Sequence, residues 1–391
     1  MSCPSLPKIP LRDTSPLPSA VSSAPCLGES TLARLLRHRR KSTRPVRGRI
    51  TNPCRQNWRR PSRAREGDID VIMDGWLPLT HADYLEQYGE DLEAQGVIFL
   101  DTDTALKEHP ELFQEYFGTV IPTGDNKFAA LNTAAARDGA VIRVTGSVAR
   151  PVQILYRRSD DAADVLCHHV LRLEPGAALT LLENGIVGAR GNVVIEADLG
   201  AGARLNHVAA HRAGQPRVSV SHLFARLAEG AALKSFALSV DGAHMRQESW
   251  IDIAGDDALA HVAAAVLGDG DGFHQDDTVF VTHGGLRGES RQVFKKVLKN
   301  GATGVFQGKI IVRPDAQKTD GYQISQALLL DEASQFLAKP ELEIYADDVK
   351  CSHGSTTGAL DETALFYLRS RGVPRERAIV LLVLSFLADA L

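Results

Sequence analysis

Near the C-terminus, the run Lys350-Cys351-Ser352-His353-Gly354 sets a thiol and an imidazole two residues apart. In a strand, positions i and i+2 share a face, so Cys351 and His353 together suit iron, copper or zinc. Two ligands are half a site; the rest must come from elsewhere in the fold or from a second chain. Taken alone, the pair also reads as a buried cysteine beside an incidental histidine. Asp276-Asp277 and Asp347-Asp348 suggest a second chemistry, because polysaccharide-cleaving β-helix enzymes use paired carboxylates as acid and base. Neighbouring strand residues point to opposite faces, so either pair would need a bulge or turn to converge. Aromatics at 6% are also sparse for a sugar-stacking groove. His168, His169, His207, His211, His222, His274 and His283 are further ligand candidates, but His207 and His211 at i and i+4 in a strand lie ~13 Å apart. They read as solvated wall. The chain has no Gly-Lys-Ser phosphate loop, dinucleotide fingerprint, nucleophile elbow or zinc-finger pairing.

The elements that position these residues are mostly strands. From about residue 140, short alternating apolar segments follow one another, among them Val141 to Val144, Val193 to Leu199, Val218 to Val220, Phe236 to Val240, Ile251 to Ile253, Val279 to Val281 and Phe306 to Val312. A turn recurs between them: Pro175-Gly176-Ala177-Ala178-Leu179, Ala201-Gly202-Ala203-Arg204-Leu205 and Glu229-Gly230-Ala231-Ala232-Leu233, with a degenerate copy around Gly255. The four glycines are spaced by 26, 28 and 25 residues. Strand-rich units repeating at that period stack into a β-solenoid or parallel β-helix, whereas an immunoglobulin-like sandwich, the rival, turns every 8 to 12 residues. Upstream, Val97 to Leu100 reads as a buried strand, Asp101 to Thr104 as a helix start, and Pro110 as the first turn of a helix whose Leu112, Phe113, Tyr116 and Phe117 share a face. A solenoid leaves raw ends that need covering. The C-terminus offers two helices for this, one from the N-cap Asp361 to Gly372 and one restarting at Pro374. The second is more apolar than one packing face requires, which suits a core helix or a docking surface.

Composition narrows the class. Of 391 residues, 44% are hydrophobic and 24% charged, as in ordinary globular proteins. The longest apolar stretch, Ala378 to Ala388, is interrupted by Ser385 and falls short of the ~20 residues that cross a bilayer, so no membrane partner is expected. Five unpaired-looking cysteines, Cys3, Cys26, Cys54, Cys167 and Cys351, argue against a disulfide framework and for a reducing, cytoplasmic setting. The net charge of −4 hides a split: residues 1–68 carry 15 Lys+Arg against 4 Asp+Glu, a balance of +11, and the remainder carries −15. That first segment also holds nine of the 18 prolines. It reads first as a disordered basic tail, with an organelle transit peptide or a mistranslated start as the alternatives. Nucleic acid is not an expected partner, because the body is acidic and the tail lacks interleaved aromatics. The expected organisation is residues 1–68 tail, 69–135 N-terminal α/β cap, 136–358 β-helix core and 359–391 C-terminal helical segment.

Longer motifs then add weight. Residues 339 to 372, from Lys339-Pro340-Glu341-Leu342-Glu343-Ile344-Tyr345-Ala346-Asp347-Asp348-Val349-Lys350-Cys351-Ser352-His353-Gly354 through Leu365-Phe366-Tyr367-Leu368-Arg369-Ser370-Arg371-Gly372, resemble the signature of the SufB/SufD family of iron-sulfur cluster assembly proteins. Val305 to Ile310, Ala316-Gln317-Lys318-Thr319-Asp320, Leu328-Leu329-Leu330, Glu108-His109-Pro110-Glu111-Leu112 and Ala130-Leu131-Asn132 resemble it too. Serine before the histidine, and only Cys167 and Cys351 in the body, resemble the SufD branch. The resemblance implies a mainly β fold, a right-handed parallel β-helix with helical ends. It also implies a non-catalytic scaffold that pairs with SufB through the β-helix and binds the ABC ATPase SufC through C-terminal helices, here Leu365, Phe366, Leu368, Ile379, Leu382 and Phe386. Iron or the cluster would sit at the SufB/SufD interface, with His353 as the ligand and Cys351 the weaker candidate. The chain itself would bind no nucleotide, and flavin stays open. A β-helix enzyme acting on polysaccharide is the alternative.

Overall fold

The computed structural model describes residues 69–74, 93–121, 126–136, 138–157, 164–185, 189–212, 217–240 and 242–390, all within one compact unit, Arg59–Leu391. The basic segment 1–68 lies outside the described residues. The strands are β1 (Ile69–Asp74), β2 (Val97–Asp101), β3 (Ala140–Val144), β4 (Val152–Arg157), β5 (Asp164–Leu173), β6 (Ala178–Gly185), β7 (Arg190–Leu199), β8 (Arg204–Arg212), β9 (Val218–Leu227), β10 (Ala232–Val240), β11 (His244–Ile253), β12 (Leu259–Asp269), β13 (His274–His283), β14 (Glu289–Lys299), β15 (Thr303–Val312), β16 (Asp320–Leu329), β17 (Gln335–Ile344) and β18 (Lys350–Gly358). Helices α1 (Thr102–Glu108), α2 (Pro110–Tyr116) and α3 (Lys127–Ala135) precede the long run of strands, and α4 (Glu362–Ser370) and α5 (Arg375–Ala388) follow it.

From β3 onward consecutive strands alternate between two nine-stranded sheets, one ordered β1-β4-β6-β8-β10-β12-β14-β16-β18 and the other β17-β15-β13-β11-β9-β7-β5-β3-β2. Every pairing along the coils is parallel; only β2 on β3 is antiparallel. This is the β-solenoid expected from the turn repeat, about seven turns long. In one column the register steps from Ala178 to Arg204, Ala232, Leu259, Glu289, Asp320 and Lys350, so each coil hides the apolar edge of the one before. Residues alternate inward and outward as the pleat demands. In β12, Ala260, Val262 and Ala264 join the main core with Val279, Val281, Phe294 and Phe306 between the sheets.

The corners depart from the sequence reading at one position. Gly176, Gly202 and Gly230 have φ of 76°, 68° and 64°, the left-handed turn that glycine adopts without steric cost. At the fourth corner that conformation belongs to Asp257 (φ 56°), and then to Arg287 and Lys318, not to Gly255. Each corner is tied to the next by a backbone bond, Gly230 N–H to Asp256 O and Asp257 N–H to Leu286 O, which compensates the strain of a side chain there. Gly255 is needed for a different reason: a β-carbon on it would lie 2.1 Å from the Glu229 nitrogen.

Both outer faces are partly covered. On the odd-numbered sheet, α1 and the chain after α2 pack Ala105, Tyr116 and Phe117 against Val141 and Val170. Glu196 on β7 accepts the Gly118 and Val120 N–H groups at 2.6 and 3.0 Å, and Asn132 on α3 donates to the Cys167 and Asn192 carbonyls. On the even-numbered sheet, α5 sets Val383, Leu387, Ile379 and Phe386 against Ala265, Val297 and Leu328, with Leu238 and Leu267 alongside. The expectation that the C-terminal helices close the end of the solenoid is therefore corrected for α5, which lies along the side, because the outward positions of β12, β14 and β16 are themselves apolar there. No described helix is long and apolar enough to cross a membrane.

Candidate functional site

The last coil consists of β17 and β18. Each is the outermost strand of its sheet, paired with β15 or β16 on one side and with no other strand among the described residues. Pro340, in the middle of β17, lacks an N–H, which only an edge strand tolerates. Leu337 and Tyr345 are 55% and 63% exposed at this end. An open strand edge with apolar side chains on it is a template for a further strand or sheet.

Cys351 and His353 belong to this coil. In the β16 ladder Gly321 is the partner of Cys351 and Gln323 the partner of His353. Gly321 and Gln323 are buried inside the solenoid, so their register partners face the inside of the open coil. A β-carbon on Gly321 would lie 3.2 Å from Cys351 Sγ, so the glycine makes room for the sulfur. Cys351 is half-buried against Ile310, Val312, Ala316 and Ala346, and burial pushes its thiol above the ordinary value. It holds its proton at neutral pH, and a metal ion would have to displace that proton to bind. His353 is exposed at the mouth. Behind it, Gln323 and Gln292 are fully buried with neither amide atom hydrogen-bonded. Among the described residues no cluster of three or more His, Cys, Asp and Glu side chains is placed to hold a metal.

The other sequence candidates are engaged elsewhere. Asp276 points outward, bonded to Arg246 Nη1 at 2.9 Å, and Asp277 points inward, paired with Lys296 and accepting from Gln275 Nε2 at 3.0 Å. The two carboxylates sit on opposite faces and each is already neutralised, which does not suit an acid and base pair; Asp347 and Asp348 are exposed. The histidines correct the expectation of a solvated wall. His168 Nε2 lies 2.6 Å from Glu196 Oε1, His222 Nδ1 lies 3.2 Å from Glu248 Oε2, and His207 bridges Glu183 Oε2 at 2.6 Å and Ser235 Oγ at 3.0 Å. His169 meets the Tyr156 hydroxyl at 3.0 Å and His283 meets Ser290 Oγ at 2.9 Å. All five are buried, either inside the solenoid or beneath the N-terminal helices, while His211 and His274 are half-buried. The sequence reading names His169 and His207 but not their convergence with Tyr156 and Glu183 in one interior cluster. Its only trace there was a set of polar residues at inward positions of otherwise apolar strands.

Six residues of the C-terminal helices were expected to meet a partner, and the structure separates them. Leu365 is buried, Leu368 and Leu382 are half-buried, and Ile379 and Phe386 pack against the solenoid. Phe386 also lies under the Lys295 ammonium, 4.6 Å from the ring centre. Phe366 is 71% exposed, with Tyr367, Leu381 and Leu384 also open.

Comparison with known proteins places the chain in a family. The family model described as SUF system FeS cluster assembly, SufBD core domain, matches residues 156–386, and that of the SufBD protein N-terminal region matches residues 79–154. The chain belongs to the SufBD family. Similar curated SufBD proteins include the iron-sulfur cluster assembly protein SufD of Bacillus subtilis, 28% identical over 309 residues, covering 76% of this chain and 70% of that protein. A SufBD family protein of Staphylococcus haemolyticus and another of Staphylococcus aureus are each 26% identical over 314 residues, covering 76% of this chain and 65% of theirs. The chain thus spans just under two thirds of these staphylococcal relatives. The SufBD core match runs from the interior cluster at Tyr156 through Cys351, His353 and most of α5.

Proposed function

We propose that this chain is a SufD-like, non-catalytic scaffold subunit of iron-sulfur cluster assembly. It pairs with a SufB-like subunit through the open end of the β-helix and docks a SufC-like ABC ATPase through α4 and the outward side of α5. The observation that carries this reading is the last coil, where unpaired strand edges coincide with His353 and Cys351 as an incomplete ligand set. Iron or the nascent cluster is cargo, held between His353 and ligands of the partner subunit. His353, exposed and at the edge, supplies an imidazole nitrogen. Cys351, half-buried and protonated, contributes second. ATP is handled by the ATPase, and the motion it drives reaches this chain as a displacement of its C-terminal helices. The setting is the cytoplasm.

Size-exclusion chromatography of the chain with SufB and SufC from the same source, with and without ATP, tests the assembly. Co-elution is expected, and a folded chain that elutes alone would refute it. In the reconstituted complex, His353→Ala should lower iron loading roughly tenfold or more while the subunits stay together. Cys351→Ala should lower it less. Unchanged iron in His353→Ala would remove the assigned ligand.

A further inference from the structure

His244 opens β11 and His274 opens β13 on the outer face of the odd-numbered sheet, at a distance along the chain from the open coil. The two are register partners in the parallel ladder, and their ring centroids are 5.7 Å apart with planes inclined by 44°. His244 is exposed and His274 half-buried. His168, His207 and His222 are each engaged by a carboxylate, whereas neither of these two rings has a hydrogen-bond or ion-pair partner among the described residues. Two imidazoles binding one tetrahedral ion at 2.0–2.1 Å set their ring centres about 5 Å apart. Small torsional adjustments close the difference, and the backbone positions are fixed by ladder pairing on both sides of each strand.

We propose that His244 and His274 form a surface site for a divalent transition metal, of the class that imidazole binds well: zinc, iron, nickel or copper. The next outward pair along the same strands, Arg246 and Asp276, is bonded to itself at 2.9 Å. The guanidinium is therefore compensated where it would otherwise repel a cation, and the carboxylate is not a competing ligand. The protein supplies two ligands, so the remaining positions stay open to water or to a donor on another molecule. Such a site exchanges its ion, unlike the closed four-ligand cages that hold structural metals. It requires neither a SufB-like partner nor the ligand role of His353.

The test is calorimetric titration of the untagged full chain with Zn²⁺, together with Co²⁺ titration followed by visible absorption, which reports imidazole coordination. Zn²⁺ binding at this site should weaken roughly tenfold or more in His244→Ala and in His274→Ala, and the double variant should bind one ion fewer per chain than the unaltered protein. Both side chains are on the surface, and an unchanged thermal transition of the variants would show that the fold is kept. A double variant that titrates like the unaltered chain would overturn the proposal, as would an unaltered chain that binds no Zn²⁺. Loss of all binding in His353→Ala alone would assign the ion to the open coil and overturn it equally.

Discussion

Two histidines inside the solenoid make stability depend on pH in a calculable direction. Burial lowers His169 and His283 to about 4, so both are neutral in the fold, while in the unfolded chain they titrate near 6.5. Between those values the unfolded state binds more protons, so stability falls as pH drops from about 6.5 to 4. For fully buried His169 the change is about 3 kcal/mol. Burial raises Glu183, but its hydrogen bond and ion pair with His207 outweigh that and hold it at about 2. Its contribution is complete above about 4.5 and is lost as pH falls toward 2. Urea unfolding at pH 7.5, 5.5 and 4.5 should show a falling midpoint with an unchanged slope; a flat profile would mean that the interior is hydrated. Cys351 and His353 stood out in the sequence because their types and spacing are rare together. His169 reads there as solvated wall and Glu183 is not singled out, because nothing in a local window says which strand face is buried.

The strands and their corners carry the next level of argument. Lys296 and Asp277 form an ion pair inside the solenoid, both almost fully buried. Removing one partner leaves an uncompensated buried charge, so Lys296→Met should cost roughly 3–5 kcal/mol, and Lys296→Met combined with Asp277→Leu should recover most of it. Equal losses in the single and double variants would show that the pair is not coupled. Gly255→Ala should prevent folding or destabilise it severely, since the new β-carbon would meet the backbone of the coil below. The corner shift from Gly255 to Asp257 shows why. Glycine spacing reports corners only while each corner uses glycine, and aspartate can take the left-handed turn once neighbouring coils bond to it.

At the scale of the whole molecule, two apolar regions meet different fates. The stripe of α5 is covered by the solenoid wall, so Val383→Asp should lower the unfolding temperature by several degrees, which differential scanning calorimetry would register. Phe366 and Tyr367 face solvent, so Phe366→Ser with Tyr367→Ser should leave that temperature unchanged and abolish binding of the ATPase in a pull-down. Retained binding would move the docking surface elsewhere. Deleting residues 361–391 is a poorer test, because it strips Leu238, Leu267, Val297 and Leu328 of their cover and invites aggregation. At the open coil no other described strand pairs with the outer edges of β17 and β18, which is where the proposed SufB-like subunit would dock.

Strand periodicity, the turn repeat, the helix caps at Asp101 and Asp361 and the Cys-x-His pair are local properties, written in spacing and side-chain type, and they were enough for the solenoid and for the residues at its end. What lies across the sheets was not. The interior histidine and glutamate cluster, the Lys296 to Asp277 pair, the facing of His244 and His274, and the placement of α5 along the wall all depend on residues of different strands, 13 or more apart in sequence, coming into register. Coil length varies from one turn to the next, so that register is set by packing of the whole stack rather than by any single repeat.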